Sequence, residues 1–304
     1  MVRAEGIGKN YKTISALQGI SFDVPQGEIF GIIGPDGAGK TTLFRILTTV
    51  LLPDAGTAEV DSLDVVRDFR KIRRRVGYMP GRFSLYQDLT VEENLTFFAS
   101  VFGSRIEDSY RLIGDIYERL EPFKDRRAGA LSGGMKQKLA LCCALIHEPR
   151  VLFLDEPTTG VDPVSRKEFW EMLKRLKKEG MTILVSTPYM DEAGLCDRIA
   201  LVKDGRFLSI DAPAAVAAGF SAPLYSIRGE RMFALLGTLR GMPEIRSCYA
   251  FGESHHAALR TSDLTPETLK VRLEAAGCSG VEVSPIAPGV EDRFMELSER
   301  EVQP

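Results

Sequence analysis

The run Ile29-Phe-Gly-Ile-Ile33-Gly34-Pro35-Asp36-Gly37-Ala38-Gly39-Lys40-Thr41-Thr42 decides the fold. Its first five residues are almost continuously apolar, the pattern of a strand buried on both faces. A glycine-rich loop follows, and a helix opens at about Lys40 and ends before Pro53-Asp-Ala-Gly56. Strand, glycine loop and helix in that order make a cradle for a polyphosphate. Gly34, Gly37 and Gly39 let the backbone turn its N–H groups inward without steric cost. The helix adds its positive N-terminal end. Lys40 has the reach to meet β- and γ-phosphates, and Thr41 is placed to ligand Mg²⁺. The expected fold class is α/β.

Further along, Val151-Leu-Phe-Leu-Asp155-Glu156 reads as a second buried strand ending in two carboxylates. A carboxylate there is costly unless it serves a cation. Asp155 is therefore expected to hold Mg²⁺ through water, with Glu156 orienting or deprotonating an attacking water. Asp162-Pro163 then opens a helix, Asp at the cap and Pro at the first position. Phe169, Leu173 and Leu176 line its inner face, and Gly180 stops it. Short strands are expected at residues 20–24, 76–79 and 182–186, and residues 199–202 and 207–210 flank the hairpin signal Asp204-Gly205. Residues 90–149 carry a helical period, with Val91, Leu95 and Phe98 on one face and Leu112, Ile116 and Leu120 repeating it.

A boundary is expected near Phe220-Ser-Ala-Pro223. Beyond it the pattern reads strand 224–227, helix 231–239, strand 245–251, strand 256–261, helix 266–276 and strand 281–284, with a final helix at 290–297. That βαββαβ order predicts a small α+β, ferredoxin-like domain. The expected division is a larger domain over 1–219, with a helical subdomain at about 90–149, and an accessory domain over 220–304.

With 304 residues, 44% of them hydrophobic, the chain has material for both cores. The formal charge of −3 gives no field that favours nucleic acid or anionic lipid. Five cysteines without CxxC spacing argue against a disulfide framework and fit a reducing compartment. Cys142 and Cys143 lie in an apolar helical run and read as packing residues. The N-terminal residues lack the apolar core of a signal peptide, and no stretch approaches the roughly 18 apolar residues that span a bilayer. A membrane role must come through a partner. The basic run Arg70-Lys-Ile-Arg-Arg-Arg75 reads as a solvated helix face, and His255-His256, which lack metal-ligand spacing, read as strand residues.

Four segments together carry a family resemblance. Residues 34–42, 131–137, 151–158 and 160–162 resemble the Walker A, signature, Walker B and D-loop segments of an ABC transporter ATPase subunit. The likeness covers roughly residues 2–213, and Leu131-Ser132-Gly133-Gly134 makes it specific. Tyr189-Met-Asp-Glu-Ala193 and the C-terminal extension resemble the drug-exporter, daunorubicin-resistance group. The resemblance implies a P-loop NTPase of ABC type, binding ATP and Mg²⁺ with Pro35, Asp36, Ala38 and Thr42 completing the loop around the phosphates. It implies two subunits stacked head to tail, so that Ser132, Gly133 and Gly134 touch ATP held by the partner. The physics agrees, since Ser132 can cap a helix whose N-terminus faces outward. Tyr11 falls where the family stacks an aromatic ring on adenine. A separate membrane-spanning permease is implied as partner, with this chain peripheral on the cytoplasmic face of the membrane. No nucleic acid partner is expected.

Two positions depart from the family. Gly81 stands where it usually has Gln, and Pro188 where it usually has His. Neither residue offers a side-chain donor. Losing one transition-state contact commonly costs on the order of 10²–10³ in rate. One expectation is an asymmetric pair, in which this chain's own site hydrolyses slowly and its signature serves a competent site on a different subunit. The other is a homodimer in which Gln87, Thr187 or water fills the gap, and the intact Glu156 supports it. Phe83, Leu85 and Tyr86, just beyond Gly81, read as a docking cleft for a partner helix or as ordinary loop packing. A soluble ABC-type ATPase acting on ribosomes or nucleic acid is the alternative. A single cassette and a helical segment without sustained heptads count against it. A small-molecule P-loop kinase leaves Ser132-Gly133-Gly134 unexplained.

Overall fold

The computed structural model describes residues 1–82 and 84–300, the last without its side chain; Phe83, one of the expected docking residues, lies outside them. The chain divides into two compact units, Met1–Pro213 and Ala214–Pro304. The sequence places this division at 219/220, a few residues later.

In the first unit β1 (Val2–Tyr11), β2 (Ile14–Val24), β4 (Ala55–Val60) and β5 (Leu63–Asp64) form an antiparallel sheet in the order β2-β1-β4-β5. A second sheet contains β3 (Ile29–Ile33), β6 (Val76–Met79), β7 (Val151–Asp155), β8 (Thr182–Thr187), β9 (Arg198–Lys203) and β10 (Arg206–Asp211) in the order β10-β9-β3-β8-β7-β6. Its neighbours run parallel except the β9–β10 hairpin. That hairpin turns at Asp204 and Gly205, both at positive φ, as the two-residue signal requires.

Sequence reading finds only the last part of β2 in the antiparallel sheet. Gly6 and Gly19 adopt positive φ, and register shifts interrupt the β1–β2 pairing. The burial of β1 therefore fails to alternate, and the period-2 signal is lost.

Helix α1 (Lys40–Leu47) lies in one core with both sheets. Leu43, Phe44, Ile46 and Leu47 are each at most 1% exposed. Burial of such side chains stabilises by roughly 2 kcal/mol each. Phe44 meets Phe153 of β7 edge-on at 5.6 Å, and Phe22 of β2 stacks on Phe30 of β3 at 5.4 Å. The helix that begins at the glycine loop is thus held on both sides.

The remaining helices of this unit are α2 (Phe69–Ile72), α3 (Val91–Phe102), α4 (Tyr110–Tyr117), α5 (Gly133–Leu145) and α6 (Pro163–Lys178), while α7 (Pro213–Ala218) begins at the boundary. Thr90 caps α3 in a reciprocal box with Glu93. Fully buried Asn94 accepts from the Tyr86 N–H at 3.1 Å and donates to the Tyr86 carbonyl at 3.0 Å, which fastens the preceding loop to α3. Asp162 caps α6 as expected, accepting from the N–H groups of Val164 and Ser165. The basic run is only partly helical: α2 ends at Ile72, and Arg75 pairs with Asp61 at 2.6 Å. Cys142 and Cys143 are buried on α5, and desolvation pushes both thiols upward, which keeps them protonated and unreactive.

The second unit contains β11 (Leu224–Arg228), α8 (Met232–Gly241), β12 (Ile245–Phe251), β13 (Ser254–Leu259), α9 (Pro266–Ala275), β14 (Glu282–Pro285) and α10 (Val290–Arg300). Its antiparallel sheet runs β12-β13-β11-β14. Leu235 and Leu239 of α8 and Leu269 and Leu273 of α9 share a core with Ile227, Ala257 and Leu259. The strand read at 256–261 begins two residues earlier. Gly252, at φ 54°, makes so tight a turn that Phe251 already pairs with Ser254. His255 and His256 are both strand residues.

His147 joins the helical region to the main sheet. Its Nε2–H donates to the Val76 carbonyl at 3.0 Å, and its ring stacks on Phe102 at 3.8 Å. Burial holds its pKa below the ordinary histidine value. The folded protein therefore binds this proton less readily than the unfolded chain. The stabilisation is complete above the unfolded value and is lost as pH falls through it toward the folded one. Urea midpoints are expected to fall as pH drops below about 6.5, the ordinary histidine value. The difference between wild type and His147→Phe should shrink over that window; a constant difference would contradict the assignment.

Candidate nucleotide site

The site lies at the carboxyl ends of the adjacent parallel strands β3, β8 and β7, where open α/β sheets place their ligands. Register sets Asp155 opposite Ser186 and Ile33 opposite Thr187, so the loop and both carboxylates leave the sheet at one edge. The Gly34 N–H donates to the Thr187 carbonyl at 3.2 Å. A Cβ at Gly34 would lie 2.1 Å from the Val202 carbonyl oxygen, and one at Gly39 2.4 Å from that of Ala16. These glycines are required by close backbone approach. Gly37 has open space around it but sits at φ 80°.

Lys40 is 3% exposed. Its ammonium donates to the Gly34 carbonyl at 2.8 Å and the Pro35 carbonyl at 2.9 Å, and pairs with the Glu156 carboxylate at 3.1 Å. Asp36 is more distant, at 3.9 Å, and exposed. The loop thus wraps its own lysine, and the lysine reaches the end of β7. Ala38 is buried beneath the loop, Pro35 is exposed on it, and Thr41 and Thr42 are half-buried at the head of α1.

Asp155 is 1% exposed and accepts from the Ser186 hydroxyl at 2.6 Å. Glu156 adopts φ 51°, and its N–H donates to the Ser186 carbonyl at 3.0 Å. A left-handed conformation in a non-glycine residue costs roughly 1–2 kcal/mol, and here it turns the carboxylate toward Lys40. Burial, and then the Asp155 charge, push the phenol of Tyr78 up to about 12. Buried carboxylate and hydroxyl oxygens form the hard donor set that suits Mg²⁺.

Gly81 faces this carboxylate. A Cβ there would lie 3.0 Å from the Asp155 carbonyl oxygen and 3.8 Å from its Cγ. Pro188 follows Thr187 directly at the end of β8. Tyr11 ends β1 and is 42% exposed.

Ser132 caps α5, accepting from the Met135 N–H at 3.3 Å. Ser132 and Gly133 are exposed, whereas Gly134 is buried. A Cβ at Gly134 would lie 2.5 Å from the Ser165 hydroxyl oxygen, and one at Gly133 3.6 Å from the Gly160 carbonyl oxygen. The start of α5 therefore packs against the start of α6 and leaves its serine outward. Gly34, Lys40, Asp155 and Glu156 come together directly; Ser132 and Gly133 form a separate exposed tip, and Tyr11 lies on the antiparallel sheet.

Sequence reading missed Ser186, which holds Asp155. It also missed Thr158, Arg166 and Glu192, which meet below the same turn. The available signal was the placement of hydroxyls at the ends of otherwise apolar strands.

Residues 17–159 match the ABC transporter family model. The Nod factor export ATP-binding protein I of Rhizobium sp. (strain N33) is 36% identical over 302 residues, 98% of this chain and 97% of that protein. The chain belongs to the ABC transporter ATP-binding family.

The probable multidrug ABC transporter ATP-binding protein YbhF of Escherichia coli (strain K12) is 38% identical over 98% of this chain. The chain spans about half of that relative's length, 52%. Two solved cassettes have the same fold over most of the chain. cbiO1 from Clostridium perfringens, part of the ABC transporter complex cbiONQ, has a TM-score of 0.64 at 30% identity, covering 72% of this chain and 90% of its own. A dimeric ATP-binding cassette in a post-hydrolysis state, bound to ADP and Pi, has a TM-score of 0.64 at 27% identity, covering 70% and 98%. The α/β P-loop fold expected of this ABC cassette is the fold observed.

Gly34→Ala is expected to abolish nucleotide binding and lower stability together, because a backbone carbonyl blocks the added methyl. Gly37→Ala meets no atom and should cost only the left-handed strain, roughly 1–2 kcal/mol. Fluorescent-nucleotide titration and urea unfolding of the two variants distinguish them.

Proposed function

We propose that this ABC cassette is the ATP-binding and hydrolysing subunit of a membrane exporter, closing on a second cassette when ATP binds and reopening after hydrolysis. The observation that carries this reading is the Lys40–Glu156 pair, held at the mouth of the glycine loop beside buried Asp155. Lys40 is satisfied by two loop carbonyls and the glutamate. An entering triphosphate offers the ammonium stronger partners and frees the Glu156 carboxylate to accept a proton from water. Thr41 and Asp155 would hold a Mg²⁺, which supplies charge neutralisation at the phosphates. Pro35, Asp36, Ala38, Gly39 and Thr42 complete the phosphate cradle, and Tyr11 supports the base. The exposed Ser132–Gly133 tip, with Gly134 beneath it, would seal ATP held by the neighbour.

Among the described residues no helix is long and apolar enough to cross a membrane. Membrane attachment would come through a separate permease, which would also set the exported compound. A groove of about 390 Å³, lined by Tyr78, Met79, Leu85, Phe98, Val101 and Phe102, suits an amphipathic helix of that subunit. It adjoins Gly81, so movement of a docked helix reaches the Asp155 turn. The second unit, with its ferredoxin-like order, would serve as an accessory domain without catalytic residues.

The own site would turn over slowly, because neither Gly81, which faces Asp155, nor Pro188, which follows β8, offers a side-chain donor. This favours pairing with a different, fully equipped cassette. The purified chain alone should hydrolyse ATP on the order of 10²–10³ more slowly than its complex with a second cassette. Glu156→Gln should remove the residual activity and accumulate a nucleotide-bound dimer on size exclusion. Vigorous hydrolysis by the chain alone, abolished by Glu156→Gln, would overturn the unequal pair and leave a homodimer.

A further inference from the structure

Beneath the nucleotide site lies a buried carboxylate with no role in the chemistry above. Glu192, 1% exposed, belongs to the 3-10 turn Met190–Leu195 that follows β8. Its Oε1 accepts from the Thr158 hydroxyl at 2.7 Å, and its Oε2 accepts from the Thr187 hydroxyl at 2.6 Å. Both threonines are fully buried. The Thr187 oxygen also accepts the Tyr189 N–H at 3.1 Å. The Arg166 guanidinium lies 3.8 Å from Glu192 and 4.2 Å from the centre of the Tyr189 ring, and pairs with exposed Asp191 at 3.5 Å.

The two threonines belong to different segments. Thr158 is two residues beyond Glu156, on the turn leaving β7. Thr187 ends β8, and its carbonyl receives the Gly34 N–H. One carboxylate therefore spans the two segments whose separation sets where Glu156 stands relative to the glycine loop. A buried ion pair is a poor way to gain stability, since desolvation offsets most of the attraction. What two charge-assisted bonds of fixed length supply is position. Arg166 carries the contact to α6, whose neighbouring Ser165 is packed beneath Gly134.

We propose that Glu192 is a positioning residue for ATP hydrolysis, clamping the Asp155–Glu156 turn to the end of β8 through Thr158 and Thr187. The inference rests on the hydrolytic reading of Glu156 given above. A bound nucleotide touches the loop and not the clamp, so the clamp should govern turnover rather than affinity.

The test compares Glu192→Gln, Thr158→Val and Thr158→Ser in the full chain with its copurified partners. Glu192→Gln keeps the volume but loses the charge and one acceptor. Thr158→Val loses the hydroxyl that Thr158→Ser retains. Misplacement of a reacting group by a fraction of an ångström should lower kcat on the order of tenfold, while the KM for Mg-ATP stays within about twofold. Thr158→Ser should restore most of the rate lost in Thr158→Val. A structural role alone would move the thermal midpoint and KM with kcat, and serine would not rescue. Unchanged kcat in both Glu192→Gln and Thr158→Val, a rise in KM equal to any fall in kcat, or failure of serine to rescue overturns the proposal. If Glu192→Gln does not fold, the valine–serine pair decides alone. A wild-type complex that turns over no ATP sinks the hydrolytic reading and this inference together. An active complex indifferent to the clamp sinks this inference only.

Discussion

A buried ammonium must be compensated, and in this protein the compensation organises the site. Lys40 is charged, almost wholly inaccessible, and bound to two carbonyls of the loop that precedes it. Those carbonyls can converge only because Gly34 and Gly39 let the backbone pass within contact of β9 and β2. The third partner, Glu156, comes from more than a hundred residues away and is aimed by a left-handed backbone. Loop shape, lysine position and glutamate orientation are therefore one arrangement.

The sheets make that arrangement rigid. α1 shares a core with the antiparallel sheet and with the parallel sheet, so the head of the helix has little freedom to tilt. The strand ends that surround it are in turn cross-linked by polar groups: Ser186 to Asp155, and Thr158 and Thr187 to Glu192. These bonds are buried, and buried polar groups left unpaired are expensive. The site is consequently specified by a network with few alternative arrangements. The signature tip is different in kind. Ser132 completes a helix cap and faces solvent, outside the network that ties the strand ends together.

Much of this was legible in the residues. The strand, glycine loop and helix of residues 29–47 declare themselves by composition, because close backbone approach and positive φ admit almost nothing but glycine. The cap at Asp162 and the hairpin at Asp204-Gly205 were equally plain, each depending on a side chain or backbone preference that acts within a few residues. The antiparallel sheet was largely hidden, because bulges in β1 erase the alternation that reveals a strand. Glu192 was also hidden. In the sequence it is one acidic residue in an exposed-looking turn, and only the folding of β7 beside β8 brings two threonine hydroxyls to it.

The sequence by itself determined the local chemistry: a glycine loop between strand and helix, a strand-end carboxylate pair, an outward helix cap, and two positions, Gly81 and Pro188, without side-chain donors. These follow from what each residue type can and cannot do with its nearest neighbours. Tertiary structure alone decided that Gly81 faces Asp155, that Lys40 meets Glu156, and that a buried glutamate ties two strand ends together. Such pairings depend on register between strands distant in the chain, and no short-range preference encodes register.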